Sequence, residues 1–432
     1  MNQLNTIKNI SWNTISTVIT QGLQLLSVLV LARYLEPSDF GVFAIIFAIV
    51  VFLNMYADAG FSAYLIHKKN IEDAEISAFF YLNLVIGIAL TIITYFSAPF
   101  ISALFENKEL QTLLEHVSII FTLFSLGLVH KSLIEKALNF KSIAIAEITA
   151  SLVSTIVAIT MGLLGFGVIA LIVQLVLLFT LRTIAYVILY RHWKPSKSVK
   201  WSSIKEGFDY SKNLIGFLTV NYFARNADQF LIGKYLSTEA LGYYSIAYRV
   251  MLFPVQRISQ VIVRVLFPSF SLIREDKRSF QELYLNTVHW ISVITFPTMI
   301  FIYFFAEQLV SLFLGEKWSD VAGIIKILAP VGAIQSVVTT VGSVFMAVGN
   351  TQLMFKLGSV NALVTVIAFI TGTIMGSVEA IATFYLVVNI IMFYPNMHFA
   401  LKQIDLTIGN LIYQLKWVIF VSCLIFWVGA VL

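Results

Sequence analysis

The chain has 432 residues, of which 59% are hydrophobic and 12% charged, with a mean hydropathy of +0.88 and a formal charge of +5. A soluble domain carries about 25% charged residues, so a soluble fold of this composition would have no surface. The basic residues stand singly between apolar runs, which excludes the stripe a nucleic-acid partner needs, and the lone cysteine, Cys423, excludes an intrachain disulfide or a cysteine metal cluster.

The apolar runs are about 20 residues long, enough for a helix to cross roughly 30 Å of hydrocarbon, and the ten-residue alternation of barrel strands is absent. Thirteen spans are expected, over residues 12–32, 41–63, 77–104, 112–130, 143–163, 167–189, 213–232, 240–267, 285–309, 321–347, 354–375, 378–400 and 411–432. The first is read as a span and not as a cleaved leader: it contains Gln21 and Gln24 and ends in Ala32-Arg33 without a small-residue cleavage site. The expected fold class is therefore all-α, a polytopic membrane protein of about 13 transmembrane helices.

Placing the N-terminus in the cytoplasm puts eighteen Lys and Arg residues on the inner side, including Lys68, Lys69, Lys131, Lys136, Arg274, Lys277 and Lys402, against four outside, Arg33, Lys108, Lys234 and Lys317. That asymmetry is the positive-inside signature and fixes the expected orientation. The longest polar stretch, about 190–212, divides the chain into an N-lobe (1–190, spans 1–6), a cytoplasmic linker (191–212), a C-lobe (213–401, spans 7–12) and a further span (402–432). Within the linker Trp201, Ile204 and Phe208 fall at i, i+3 and i+7, the stripe of a short helix lying on the inner leaflet, with an ordinary connector as the alternative. An internal repeat supports two lobes. RYLEPSDFGVFAI at 33–45 and KYLSTEALGYYSI at 234–246 share a basic residue, Tyr-Leu, a glycine and an isoleucine in register at an offset of 201 residues. An offset spanning six helices preserves membrane orientation, so the lobes are expected to be parallel repeats.

LARYLEPSDFGVFAI at 31–45, ADAGFSAYLI at 57–66, RNADQFLIGKYLSTEALGYYSIAYRV at 225–250 and the Arg257…Arg264…FPSFS run ending at Ser271 resemble the Wzx-type polysaccharide flippases of the multidrug/oligosaccharidyl-lipid/polysaccharide exporter superfamily. The likeness is to the colanic- and teichuronic-acid exporter branch and covers nearly the whole chain. It implies two six-helix lobes around a central cavity plus helices 13 and 14, where this sequence ends at Leu432 after thirteen spans. It implies translocation of a polyprenyl-diphosphate-linked oligosaccharide across a bacterial cytoplasmic (inner) membrane by alternating access, for surface polysaccharide. Its partners would be that lipid-linked oligosaccharide and membrane lipid, with room for a coupling ion (H+ or Na+) and a polymerase partner, and with no cofactor.

Ionisable groups at membrane depth are costly unless paired or facing water, which makes them functional candidates. Arg182, Arg225, Arg249, Arg257, Arg264 and Lys326 fall inside spans, four of them on the seventh and eighth. Arg257 and Arg264, seven residues apart, would project alike about 10 Å apart, with Arg249 roughly 80° off that face. A cationic wall of Arg225, Arg249, Arg257 and Arg264 would receive a diphosphate or acidic sugar by bidentate hydrogen bonding. The alternatives are that Arg264 snorkels to the inner surface and that Asp228, one turn on, neutralises Arg225. Asp58, near the inner end of the second span, and Asp228, in the seventh, are the carboxylate candidates for ion coupling or for organising the arginines at the substrate site, with Asp58 alternatively a helix-end residue reaching water. Glu115 and Glu147 are expected to be solvated, and His130 and His289 to be polar anchors. Gln21 and Gln24 share a face and either bind sugar hydroxyls or bridge helices, while Tyr222, Tyr244 and Tyr248 either pack or stack on sugar rings.

Two rival classes fit the sequence less well. A membrane enzyme of the same pathway lacks support, since neither a phosphate-cradling glycine loop nor a metal-ligand cluster is present. A multidrug antiporter for cations would want carboxylates in the membrane, where this chain has an excess of arginine. Without a nucleotide motif, transport would draw on an ion gradient, the membrane potential or consumption of the product.

Overall fold

At membrane depth a backbone N–H or C=O finds no water, so the long apolar runs close their hydrogen bonds within helices. The computed structural model describes residues 3–58, 60–68, 70–255 and 276–431, and among these the regular structure is helical, with no strand. The chain divides into two compact units, Met1–Asn226 and Ala227–Leu432. The first holds α1 (Gln3–Ala32), α2 (Pro37–Asp58), α3 (Phe61–His67), α4 (Asp73–Leu104), α5 (Glu109–Val117), α6 (Ile119–Lys136), α7 (Phe140–Leu163), α8 (Val168–Leu189) and most of α9 (Ser202–Tyr235). The second holds the end of α9, then α10 (Thr238–Pro254), α11 (Lys277–Phe304), α12 (Ala306–Phe313), α13 (Ser319–Val338), α14 (Val341–Val348), α15 (Thr351–Ile374), α16 (Val378–Lys402) and α17 (Ile408–Val431). Eleven segments of the described residues are long and apolar enough to span. With α9 and α10 added, the protein is a multi-pass membrane protein of about thirteen spans.

The repeat read in the sequence is visible in the turns. The hairpin α1–α2 and the hairpin α9–α10 are each closed by the repeated segment, and the second is capped by Ser237, whose hydroxyl accepts from the Ala240 amide at 3.0 Å. Further along, Leu138 (φ 56°) precedes Asn139, which caps α7 at the Ser142 amide, and Gly349 (φ 83°) precedes Asn350, which caps α15 at the Leu353 amide. Gly165 (φ 82°) and Gly376 (φ 76°) then close the next turn in each unit. Both pairs are 211 residues apart (349 − 138 and 376 − 165), ten more than the first pair.

Helix packing in a bilayer rests on close backbone approach more than on expelling water. A Cβ at Gly372 would lie 2.6 Å from the Cα of Ile381, so glycine lets α15 and α16 touch backbone to backbone. The core of the first unit lies among Phe61, Tyr64, Phe79, Phe80, Val129, Leu133 and Trp193, where His130 packs edge-on to Phe80 and Trp193.

Three boundaries differ from expectation for identifiable reasons. The fourth span is broken at Ser118, whose hydroxyl bonds the Glu115 carbonyl at 2.7 Å, and the tenth is broken at Thr339 and Thr340, whose hydroxyls bond the Ser336 and Val337 carbonyls. The stripe of Trp201, Ile204 and Phe208 is not a separate helix: it begins an unbroken α9 of 34 residues. Gly207 lets Phe79 pack there, a Cβ at that position falling 2.6 Å from the ring.

Candidate functional site

The first half of α9 is fixed against α2 by aromatic side chains. Phe52 packs on Tyr56, Tyr222 and Phe223 with ring centroids 5.2, 5.3 and 4.9 Å away. Tyr222 donates to the Ala48 carbonyl, and the hydroxyls of Tyr56 and Thr219 are 2.7 Å apart. Tyr222 is therefore a packing residue. One turn beyond it Arg225 is exposed.

Asp228, by contrast, is fully buried. Its carboxylate accepts the Tyr244 hydroxyl at 2.8 Å and the Gln229 amide at 2.8 Å. Tyr244 is itself buried and stacks on Tyr248 (5.8 Å between centroids, 22° between planes), and Tyr248 lies 6.3 Å from Tyr385. The Tyr385 hydroxyl accepts from the Gln335 side-chain amide at 2.6 Å, and that amide also donates to Asn389 at 3.2 Å. Beside this row Arg249 is exposed, and among the described residues neither Arg225 nor Arg249 has an ion-pair partner. Asp228 and its tyrosines thus form one buried constellation, while the two arginines stand open.

Of the other sequence candidates, Arg257 and Arg264 lie outside the described residues. Asp58 ends α2 and accepts the Ser62 amide at 3.1 Å, holding the start of α3. Gln24 is exposed on α1, and the Gln21 side-chain oxygen is buried without a hydrogen-bond partner among the described residues. Glu147 is not solvated as expected: it accepts from Ser16 of α1 at 3.2 Å and from Tyr186 of α8 at 3.1 Å.

Two features escaped the sequence reading. Gln335 and Asn389 are one: they sit on apolar spans and only the fold brings them to Tyr385. The other is an ionic cluster beside a cavity of about 700 Å³ lined by Lys68, Glu72, Glu75, Lys136, Tyr190 and Lys200. Glu75, with 5% of its side chain exposed, pairs with Lys68 at 3.1 Å and Lys200 at 2.9 Å and accepts from Ser203 at 3.1 Å. Lys68 reaches Glu206 at 3.2 Å, and Glu206 accepts from Tyr64 at 2.8 Å. Burial alone would lower the Lys68 ammonium, but hydrogen bonds to Tyr64, Glu75 and Glu206 raise it above the ordinary lysine value. Hydrogen bonds from Tyr64 and Lys68 hold Glu206 below the usual carboxylate range.

Residues 30–323 match the polysaccharide biosynthesis protein family. The chain belongs to that family. The matched region runs from the end of α1 into α13 and contains Arg225, Asp228, Tyr244, Tyr248 and Arg249. The chain is 27% identical over 384 residues to the teichuronic acid biosynthesis protein TuaB of Bacillus subtilis (strain 168), covering 88% of this chain and 79% of that one. It is 25% identical over 388 residues to the lipopolysaccharide biosynthesis protein WzxC of Escherichia coli (strain K12), covering 89% and 79%. Its fold matches the lipid II flippase MurJ in an inward closed conformation, with a TM-score of 0.77 at 17% identity over 98% of both chains. The family thus places the chain among polysaccharide biosynthesis proteins, and its fold is that of the MurJ structure.

Proposed function

We propose that this member of the polysaccharide biosynthesis family is a flippase that moves a polyprenyl-diphosphate-linked oligosaccharide from the inner to the outer leaflet of a bacterial cytoplasmic membrane. Translocation proceeds by alternating access of an N-lobe (1–190) and a C-lobe (213–401), joined through 191–212 and followed by the span at 402–432, with the N-terminus in the cytoplasm. The observation that carries this reading is the exposure of Arg225 and Arg249 within spanning helices, each without an ion-pair partner among the described residues. An open guanidinium at that depth is stable facing water or an anion and costs several kcal/mol facing lipid. It offers a planar fork for a diphosphate. Arg257 and Arg264 extend the same cationic series along the chain. The sign of charge also argues against a cationic drug as substrate.

Single Arg225→Ala and Arg249→Ala changes are expected to stop polysaccharide export and to leave glycolipid intermediate on the inner leaflet, at normal protein level. Arg→Lys rescues where a point charge suffices and fails where the fork is needed. Normal export by both alanine variants would overturn the proposal.

A further inference from the structure

The cavity of about 700 Å³ in the first unit lies where helices end at one face of the membrane. α4 begins at Asp73, α6 ends at Lys136 and α8 ends at Leu189, and the lining takes Glu72 and Glu75, Lys136 and Tyr190 from these ends. That face is the one to which the excess of Lys and Arg is assigned. The level is that of lipid headgroups, and the apolar side chains of Ile71, Ile76 and Leu133 share the wall.

The polar groups of this cavity are not all spent. An ammonium has three N–H donors and a carboxylate two acceptor oxygens. Lys68 uses its three on Tyr64, Glu75 and Glu206, at 3.2, 3.1 and 3.2 Å. Lys136 gives two, to the carbonyls of Leu65 at 2.9 Å and Lys68 at 2.6 Å, and it pairs with no carboxylate among the described residues. Lys200 gives one to Glu75 at 2.9 Å and another, at a long 3.4 Å, to one oxygen of Glu72, whose side chain is 70% exposed. The cavity thus presents an unspent N–H at Lys136, another at Lys200, and the second oxygen of Glu72.

Charge decides which headgroup fits. Lys68, Lys136 and Lys200 are matched in number by Glu72, Glu75 and Glu206, so a ligand with a net charge would unbalance the cluster and a zwitterion leaves it neutral. A phosphodiester meets the two ammonium N–H groups in charge-assisted hydrogen bonds, and a primary ammonium on the same ligand meets Glu72. A quaternary ammonium has no N–H to give that oxygen. We propose that the cavity holds a phospholipid headgroup joining a phosphodiester to a primary ammonium, the chemistry of phosphatidylethanolamine, with its phosphate on Lys136 and Lys200 and its ammonium on Glu72. Lys200 stands two residues before α9, so the lipid ties the ends of α4 and α6 to the entry of that helix. The site is independent of what Arg225 and Arg249 bind.

The test is lipid retention by the full-length protein, read by native mass spectrometry after release from nanodiscs of phosphatidylethanolamine, phosphatidylcholine and phosphatidylglycerol in equal parts. The wild type is expected to keep a phosphatidylethanolamine in preference to either of the others. Glu72→Gln changes an exposed side chain and leaves the buried Glu75 pairs in place. It is expected to cut the ratio of retained phosphatidylethanolamine to phosphatidylcholine roughly 5- to 10-fold, the scale of one charge-assisted hydrogen bond. Lys136→Gln and Lys200→Gln should instead weaken all three lipids alike, since the phosphodiester is common to them. Lys136 also holds the end of α3, so Lys200→Gln decides that arm if Lys136→Gln does not fold. In the wild type, hydrogen exchange over residues 196–208 should be slower in phosphatidylethanolamine nanodiscs than in phosphatidylcholine ones, and Glu72→Gln should abolish the difference. No preference in the wild type, an unchanged ratio in Glu72→Gln, retention of phosphatidylglycerol equal to that of phosphatidylethanolamine, or displacement of the lipid by inorganic phosphate would overturn the proposal.

Discussion

Replacing Glu75 removes the centre of the ionic cluster that ties the start of α9 to the rest of the first unit. In Glu75→Ala three charge-assisted hydrogen bonds disappear, from Lys68, Lys200 and Ser203. A fully buried pair broken from one side costs about 3–5 kcal/mol, because the surviving charge has no partner. Here the survivors are better off. Lys68 keeps Glu206 at 3.2 Å, Lys200 keeps Glu72 at 3.4 Å, and their side chains are 26% and 44% exposed. Solvent screening therefore reduces the loss to about 2 kcal/mol for the anchored segment. The segment has other ties, since the Lys200 amide donates to the Ala74 carbonyl at 3.1 Å and the Ser196 amide to the Ser77 hydroxyl at 2.9 Å, so the change loosens α9 without releasing it. A 2 kcal/mol loss of local stability corresponds to roughly 30-fold faster amide exchange. Hydrogen exchange read by mass spectrometry over residues 196–208, in detergent at fixed pH, should show it, with α15 and α16 unchanged. Glu75→Gln, which keeps one acceptor, should fall between. Exchange in Glu75→Ala within about twofold of wild type would refute the claim that this carboxylate holds the helix start.

The same cluster should be indifferent to pH across the neutral range. Glu206 is depressed, so its contribution is present above about pH 4.3 and lost as pH falls through its folded value, whereas Lys68 is raised, so its contribution is present below about pH 10.4 and lost as pH rises above that. Exchange of 196–208, corrected for intrinsic rates, should be flat from about pH 5 to 9, and a transition near pH 7 would contradict this. Gly372→Ala drives a Cβ to 2.6 Å from the Ile381 backbone and should destabilise by about 1–3 kcal/mol, while Gly358→Ala on the same helix meets nothing within 4 Å and should be neutral or slightly stabilising. Equal thermal inactivation of the two variants in detergent would show that α15 and α16 do not need the close approach. In a Cys423→Ser background, a cysteine at Lys197 should react with an impermeant maleimide only in inverted vesicles and one at Lys317 only in intact cells. Reaction of the Lys197 site in intact cells would reverse the orientation.

The sequence revealed helices, their approximate ends and the internal repeat, because each of these rests on local pattern: apolar length, turn residues and a recurring Tyr-Leu-x-x-x-x-x-Gly segment. Breaks within spans were invisible, since Ser118 and the pair Thr339 and Thr340 act through hydroxyl bonds to their own helix, which apolar counting does not register. Asp228 was legible as a candidate but not in its role. Its partner Tyr244 lies eight residues beyond Leu236 as Asp228 lies eight before it, so a helical hairpin turning there sets the two side by side, a signal present in the sequence but readable only once the turn is fixed. Glu75 had no such signal, because Lys200 and Ser203 are more than 120 residues away.

These outcomes separate two kinds of charge in one membrane protein. At the ends of the helices of the first unit, Lys68, Glu75, Lys200 and Glu206 satisfy one another. Each removal is then a stability change confined to its surroundings. In α7, too, Glu147 is spent on Ser16 and Tyr186. Arg225 and Arg249 differ in kind: within the described residues nothing answers their charge, although Asp228 is a single turn from Arg225. That carboxylate is already committed to Tyr244, and its burial keeps it from serving as a mobile counter-ion. On the flippase reading, the carrier diphosphate is the anion that would meet Arg225 and Arg249.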